Sequence, residues 1–372
     1  MTNKFMPEII VIGGGAIGML TARELSISGH KTTLFDRLRT GRESSWAGGG
    51  IISPLYPWRY ADSVTALARW GQQHYRDIAD ELTSDTGIDP EWTRSGLLIL
   101  SPDEEQAALE WASKTGSRIE LLDKSGISNC EPSLDEPPDS GLWLPDVAQV
   151  RNPRLVKSLH KDLVQRCVEI HEETTVERLL IQGGKVRGVE TESGSYHADT
   201  VVICAGAWTK QLLGDLGKEM EITPVRGQMI LFDAEPGIIS PITLEQDRYI
   251  IPRRDGHVLF GSTLEHTGFE KRTTEEAGEE LYSIATSRFP ALKRYPVEKQ
   301  WAGLRPGSPA GIPYIGPHPE VSGLYINSGH FRNGVVLGPA SCRLITDIIL
   351  QRTPILPPAP YALTATRHEI DS

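Results

Sequence analysis

A chain of 372 residues is long enough for two folding units, and its net charge of −11 argues against a nucleic-acid partner, because phosphate backbones call for clustered lysine and arginine. Hydrophobic residues make up 39% and charged ones 23%, the balance of a globular protein with a sizeable core. The four cysteines, Cys130, Cys167, Cys204 and Cys342, form no C-x-x-C pair and no histidine cluster has ligand spacing, so neither a zinc site nor a disulfide framework is expected.

Ile9-Ile10-Val11-Ile12 is a short β-branched run that stops at a glycine cluster. The apolar stretch 8–20 is broken by Gly13, Gly14, Gly15 and Gly18 and falls short of the roughly 20 apolar residues of a membrane span. No signal peptide or membrane segment is expected, and the default location is the cytoplasm. A helix is predicted over 16–28, ended by Gly29, and a strand over 31–35 leads to Asp36. Together they make a βαβ unit.

Further along, helices are predicted over 63–82, 103–114 (with a capping residue), 154–167 and 274–289. A last helix is expected over 339–351, with Pro339 in its first turn. Strands are predicted over 96–100, 186–190, 199–204, 226–232, 249–251, 257–260 and 324–327. Asp255-Gly256 signals a hairpin, and Pro132, Pro137, Pro138 and Pro145 mark a change of region. The proline-rich tail after Thr353 reads as an ordered strap or a frayed end.

Gly13-Gly14-Gly15-Ala16-Ile17-Gly18 is G-x-G-x-x-G. Gly13 permits a tight turn, Gly15 lets the backbone approach a pyrophosphate, and Gly18 allows close packing of helix on strand. The helix opening at Ala16 and Ile17 offers amides and a positive dipole end to phosphate. The pattern alone is weak. Here it follows a strand, opens a helix, and precedes an acidic residue, Asp36, spaced to accept ribose hydroxyls. Both NAD and FAD suit an N-terminal dinucleotide site. Two features favour FAD. The strand 199–204 runs into Cys204-Ala205-Gly206, small residues that let a second strand end approach the cofactor. The stretch Gly329-His330-Phe331-Arg332-Asn333-Gly334 forms a glycine-flanked loop returning from the far end of the chain, as suits a large, stably held group.

Six motifs, taken in order, resemble the D-amino-acid oxidase superfamily of flavoproteins, and within it most the glycine oxidases. They are Ile12-Gly-Gly-Gly-Ala-Ile-Gly18, Ser44-Ser-Trp-Ala-Gly-Gly-Gly50, Cys204-Ala-Gly-Ala-Trp208, Pro224-Val-Arg-Gly-Gln228, Trp301-Ala-Gly-Leu-Arg-Pro-Gly307 and Gly329-His-Phe-Arg-Asn-Gly334. The first and third are shared by many flavoproteins; the last two are the more specific. The resemblance implies an α/β fold, a Rossmann-like FAD-binding domain with an inserted substrate domain on a mixed, mainly antiparallel sheet. With the element order, this gives a discontinuous FAD-binding domain over 1–85, 142–220 and 305–372, and a substrate-binding domain over 86–141 and 221–304. It also implies non-covalent FAD, oxygen as acceptor, a homotetramer, and oxidation of glycine or a related small amine to imine, oxo-acid, ammonia and hydrogen peroxide. Supply of the glycine imine for the thiazole of thiamine is implied as well.

By position, Ala16, Ile17, Asp36, Arg37, Ser44, Gly48, Gly49, Gly50, Val176 and the run His330, Phe331, Arg332, Asn333, Gly334, Val335, Val336 match the family's FAD contacts. Arg305 and Arg332 match substrate contacts, and Tyr249 a substrate-side tyrosine. Arg305 stands in an apolar stretch, and its planar fork suits a carboxylate. Hydride removal from a neutral amine needs orientation and no obligatory base, so His330 is expected to act through its backbone. The N-terminus of the helix expected at Pro339 is placed toward the flavin pyrimidine edge. Two departures are Leu264, where a methionine is common, and the bulky Trp46 in the flavin loop. Two other readings share these residues: an FAD dehydrogenase serving a quinone or carrier protein, and a flavin-binding subunit that channels imine to a thiazole-forming partner.

Overall fold

The computed structural model describes residues 8–367. Two sheets organise them. The first has six strands, in the order Tyr314–Pro317, Leu324–Ser328, Thr200–Ile203, Ile9–Ile12, Thr32–Phe35 and Glu169–His171. All neighbours run parallel except the edge strand Tyr314–Pro317. A parallel sheet is buried on both faces, which explains unbroken apolar runs such as Ile9–Ile12. Side chains alternate between the two faces. Ile9, Val11, Leu34 and Val202 meet the helices Ala16–Ile27, Asp62–Thr86, Asn152–Gln165 and Gly334–Ile349. Ile10, Ile12, Val201 and Ile203 face the opposite way, toward Val176, Val186 and Val189 of a three-stranded antiparallel sheet. Each fully buried Ile, Leu or Val contributes roughly 1.5–3 kcal/mol, so both faces are firmly held.

The second sheet has eight strands: Val297–Gly307, Thr223–Phe232, Val258–Gly261, Arg248–Pro252, Ile242–Glu245, Leu97–Leu100, Ser140–Leu144 and Glu120–Asp123. Its pairs are antiparallel except Ile242–Glu245 with Leu97–Leu100. The fold is therefore α/β with a parallel-rich sheet beside a mixed, mainly antiparallel one. The strand Ser140–Leu144 pairs within the larger sheet although the expected FAD segment opens at 142, and Val297–Gly307 carries Arg305 in the larger sheet although that segment was expected to resume at 305.

Three local expectations need correction. The helix over 103–114 is Glu105–Thr115 and has no side-chain cap, because the carboxylate of Glu104 is taken by the Trp58 indole and the Arg59 guanidinium. The last helix begins at Gly334, not Pro339, and Pro339 lies inside it. Proline there removes only the hydrogen bond to the Val335 carbonyl, and the burial of Leu337, Ala340, Leu344 and Ile345 outweighs that loss. The 255–256 hairpin is present, but its connection has five residues, closed by Arg253 N–H to the His257 carbonyl at 2.8 Å. The tail is a strap as far as Arg367: buried Tyr361 donates to the Ser63 carbonyl at 2.8 Å, and the Arg367 guanidinium lies over the Tyr314 ring.

Candidate active site

A cavity of about 480 Å³ runs from the carboxyl ends of the six-stranded sheet to the face of the larger sheet. Parallel sheets place ligands at those strand ends, where crossovers diverge to either side. Here Ile12, Phe35, Ile203 and Ser328 end their strands, and the residues that follow the first three, Gly13, Asp36 and Cys204, line the cavity with Ser328 itself.

At the nucleotide end, Gly13 has φ +107, and a Cβ there would run into the Cys204 carbonyl, so the turn requires glycine. The Gly14 amide donates to Asp36 Oδ2 at 2.6 Å, and Leu38 donates to Oδ1 at 2.7 Å. Burial pushes the Asp36 carboxyl up, opposed by those two amides. The Ala16 amide donates to Ser45 Oγ at 2.8 Å. The loop thus has fewer free amides than its sequence suggests, and Gly15 keeps one without a protein partner among the described residues. Arg37 lies with its guanidinium 3.9 Å above the Trp208 ring.

The expected residues Gly13, Gly15, Ala16, Ile17, Asp36, Arg37, Ser44, Gly48, Gly49, Gly50 and Val176 line the cavity. So do Cys204, Ala205, Gly206, His330, Phe331, Arg332, Asn333, Gly334 and Val335. Two do not. A Cβ on Gly18 would strike the Gly13 carbonyl, so this glycine seats the helix on the turn and sits behind the ligand space. Val336 turns toward the helix Asp62–Thr86, where its carbonyl presses against Gly71.

At the other end, Tyr249, Arg305 and Arg332 converge. Arg305 sits on Val297–Gly307, paired with Val225 of the neighbouring strand. Gly227 and Gly303 share its face of the sheet. A Cβ on Gly227 would collide with the guanidinium, and one on Gly303 would lie 2.6 Å from the Ala47 methyl. Two bare glycines therefore let Arg305 lie flat and let the 44–50 loop approach. Arg305 Nη2 donates to Ser262 Oγ at 2.7 Å and Nη1 to the Thr263 carbonyl at 3.2 Å, and no carboxylate pairs with it among the described residues. Burial holds the guanidinium below its ordinary value, with Arg332 acting in the same sense and the Tyr249 hydroxyl against it. A cation set in a cavity wall without an internal anion is a seat for an anionic ligand.

His330 is buried, its Nε2 3.0 Å from Ser341 Oγ, and burial lowers its pKa to about 3. It is neutral at physiological pH and is not poised as a base. Its folded value lies below its ordinary 6.5, so protonation favours the unfolded chain. The contribution is complete above about 6.5 and declines as pH falls toward 3. Denaturant unfolding should lose roughly 1.5 kcal/mol from this group between pH 6.5 and 5, and His330→Asn should lack that slope.

Sequence reasoning passed over Gly227 and Gly303 as site residues, although both lie in quoted motifs. It also missed Arg253, whose buried guanidinium donates to the Gly49 carbonyl at 2.8 Å and to Gln149 Oε1 at 2.7 Å, tying the larger sheet to the 44–50 loop. No motif distinguishes such an arginine from a surface one. Trp46 has a packing role: its ring meets Trp301 edge-on with centroids 5.6 Å apart, and the Trp301 indole donates to the Ala47 carbonyl at 3.0 Å. Leu264 is 43% exposed and does not line the cavity.

The profile of the DAO family, described as FAD dependent oxidoreductase, matches residues 8–348. The chain belongs to this family. It is 48% identical to "Glycine oxidase" of Pseudomonas aeruginosa, covering 95% of this chain and 98% of that one. It is 30% identical to "Bifunctional protein ThiO/ThiG" of Trichormus variabilis, over 93% of this chain and 53% of that longer protein. The crystal structure of glycine oxidase from Geobacillus kaustophilus superposes with a TM-score of 0.90 at 26% identity, covering 98% of this chain and 100% of that one.

The cavity of this DAO-family chain fits the flavin dinucleotide. Its glycine turn leaves space for phosphate, and the Asn333 Nδ2 and Asn327 Oδ1 atoms are buried in residues of its wall without a hydrogen-bond partner among the described residues. Among the described residues no helix is long and apolar enough to cross a membrane, and no group of three or more His, Cys, Asp or Glu residues is arranged to hold a metal ion.

Proposed function

We propose that this chain is a glycine oxidase, converting glycine and small D-amino acids to the oxo-acid, ammonia and hydrogen peroxide, and sarcosine to glyoxylate, methylamine and hydrogen peroxide. The observation that carries the reading is the Arg305 guanidinium in the wall of the cavity, beside Tyr249 and with no carboxylate partner among the described residues. The near-full-length similarity to proteins named glycine oxidase supports it.

Gly13, Gly15–Ile17, 36–37, 44–50, 176, 204–206 and 330–335 would hold FAD, which would supply the two-electron acceptor that oxygen restores. The rest is done by side chains. The Arg305 fork takes the substrate carboxylate, and the Tyr249 hydroxyl adds a hydrogen bond to the same group. Bare Gly227 lets the guanidinium lie flat on the sheet, and bare Gly303 lets the 44–50 segment approach it. Arg332 lines the same cavity. His330 is buried and neutral and is not poised as a base, and orientation is the main contribution. Glycine, oxygen and water give glyoxylate, ammonia and peroxide. The six-stranded sheet is the cofactor side and the eight-stranded sheet the substrate side.

The similarity to ThiO/ThiG proteins supports a place in thiazole formation, with the imine passed on before water hydrolyses it. The working form in this reading is a cytoplasmic homotetramer with non-covalent FAD. The test is quantitative. The FAD-loaded protein should yield one peroxide and one ammonia per glycine consumed. Turnover of a dye acceptor without peroxide would replace the oxidase with a dehydrogenase.

A further inference from the structure

The two arginines at the substrate end are not equivalent. Among the described residues Arg305 donates to neutral groups, the Ser262 hydroxyl and the Thr263 carbonyl, with the neutral Tyr249 hydroxyl beside it. Arg332 has an anion: Asp247 Oδ1 lies 3.6 Å from its Nη1, with side chains 71% and 16% exposed for Asp247 and Arg332. Asp247 sits in the two-residue turn between Ile242–Glu245 and Arg248–Pro252, two positions before Tyr249. That turn is held in place. Gln246 takes φ +52, and its carbonyl accepts the Tyr56 hydroxyl at 2.7 Å. Tyr56 belongs to the segment whose Ser53 and Leu55 line the cavity.

We infer that Asp247 is a specificity-determining residue, which neutralises Arg332 so that the site accepts an amine carrying one carboxylate and disfavours one carrying two. This rests on the proposed function. Asp247 answers the charge of Arg332, while Glu265, the acid that acts on Arg305 from further off, is paired with Arg226, so the charge left facing the cavity is that of Arg305, which a single substrate carboxylate cancels. A second carboxylate on the amine nitrogen would reach toward Arg332 and find Asp247 already there. It would have to share the fork with a like charge or displace it. An ion pair this exposed adds little to folding stability, so stability alone gives no reason for it. Beside Arg332, which lines the cavity, its charge acts on an anionic ligand through that guanidinium.

The test compares FAD-loaded wild type, Asp247→Asn and Asp247→Glu on glycine and iminodiacetate, which differ by one carboxymethyl group. Calorimetric titration with the unreactive acetate and malonate runs in parallel. Asp247→Asn should raise the iminodiacetate-to-glycine ratio of kcat/KM about fivefold and tighten malonate relative to acetate by a similar factor, as suits a solvent-exposed charge. Asp247→Glu should keep the wild-type ratios, and added salt should shrink the difference. Unchanged ratios in Asp247→Asn, in both kinetics and calorimetry, would overturn the inference. If the holoenzyme oxidises no amine at all, the proposed function fails, while the acetate and malonate constants still decide the role of Asp247.

Discussion

Arg305→Ala is expected to raise the KM for glycine between about tenfold and 150-fold, the span of about 1.5–3 kcal/mol for a charge-assisted pair. The guanidinium lies against Gly227, which has no side chain to fill the gap, and it donates to Ser262 and Thr263. Removing it leaves a water-filled hollow and little change elsewhere. Arg305→Lys should be intermediate, because the charge stays and the planar fork is lost. Steady-state kinetics on protein checked for full FAD absorbance measures this. A wild-type KM in Arg305→Ala with normal flavin content would remove Arg305 from substrate binding and the proposed function with it.

Gly15→Ala is the second large effect, and it acts on the cofactor. The backbone at Gly15 has φ −72 and ψ 180, which alanine adopts without strain. A Cβ there would meet only Ser45 Oγ, at 3.0 Å, and otherwise the open cavity. The variant should therefore fold, with unchanged circular dichroism, yet carry a methyl group where the pyrophosphate must approach. FAD affinity should drop at least about tenfold, equivalent to 1.4 kcal/mol or more, measured by flavin fluorescence on adding FAD to apoprotein. Gly13→Ala is a poorer probe, because φ +107 and the Cys204 carbonyl make it a folding defect as well. Wild-type FAD affinity in Gly15→Ala would mean that the phosphates lie elsewhere.

Where the chemistry is local, the sequence was legible. The turn 13–18 and Asp36 are readable because glycine tolerance, helix start and strand end are properties of neighbouring residues. Parallel strands buried on both faces announce themselves as apolar runs, as Ile9–Ile12 and Thr200–Ile203 do. Motif resemblance carried Arg305, Tyr249 and Arg332 further than composition allowed, since an arginine between Leu304 and Pro306 reads equally well as a structural ion pair. The start of the last helix was misplaced because Gly334-Val335-Val336 are weak helix formers and Pro339 is a strong breaker. Packing against two other helices overrode that preference.

The sequence by itself determined the dinucleotide turn, the order of the elements and the residue types needed to seat a carboxylate, because each rests on contacts within a few positions. Only the tertiary structure decided that Gly227 supports Arg305 across a strand pair, that Arg253 reaches the Gly49 carbonyl over 204 positions of chain, and that Asp247 sits against Arg332. Those contacts depend on sheet register and on which loop folds over which face. Both are fixed by burying the apolar faces of the two sheets together, and no single segment of the chain encodes them.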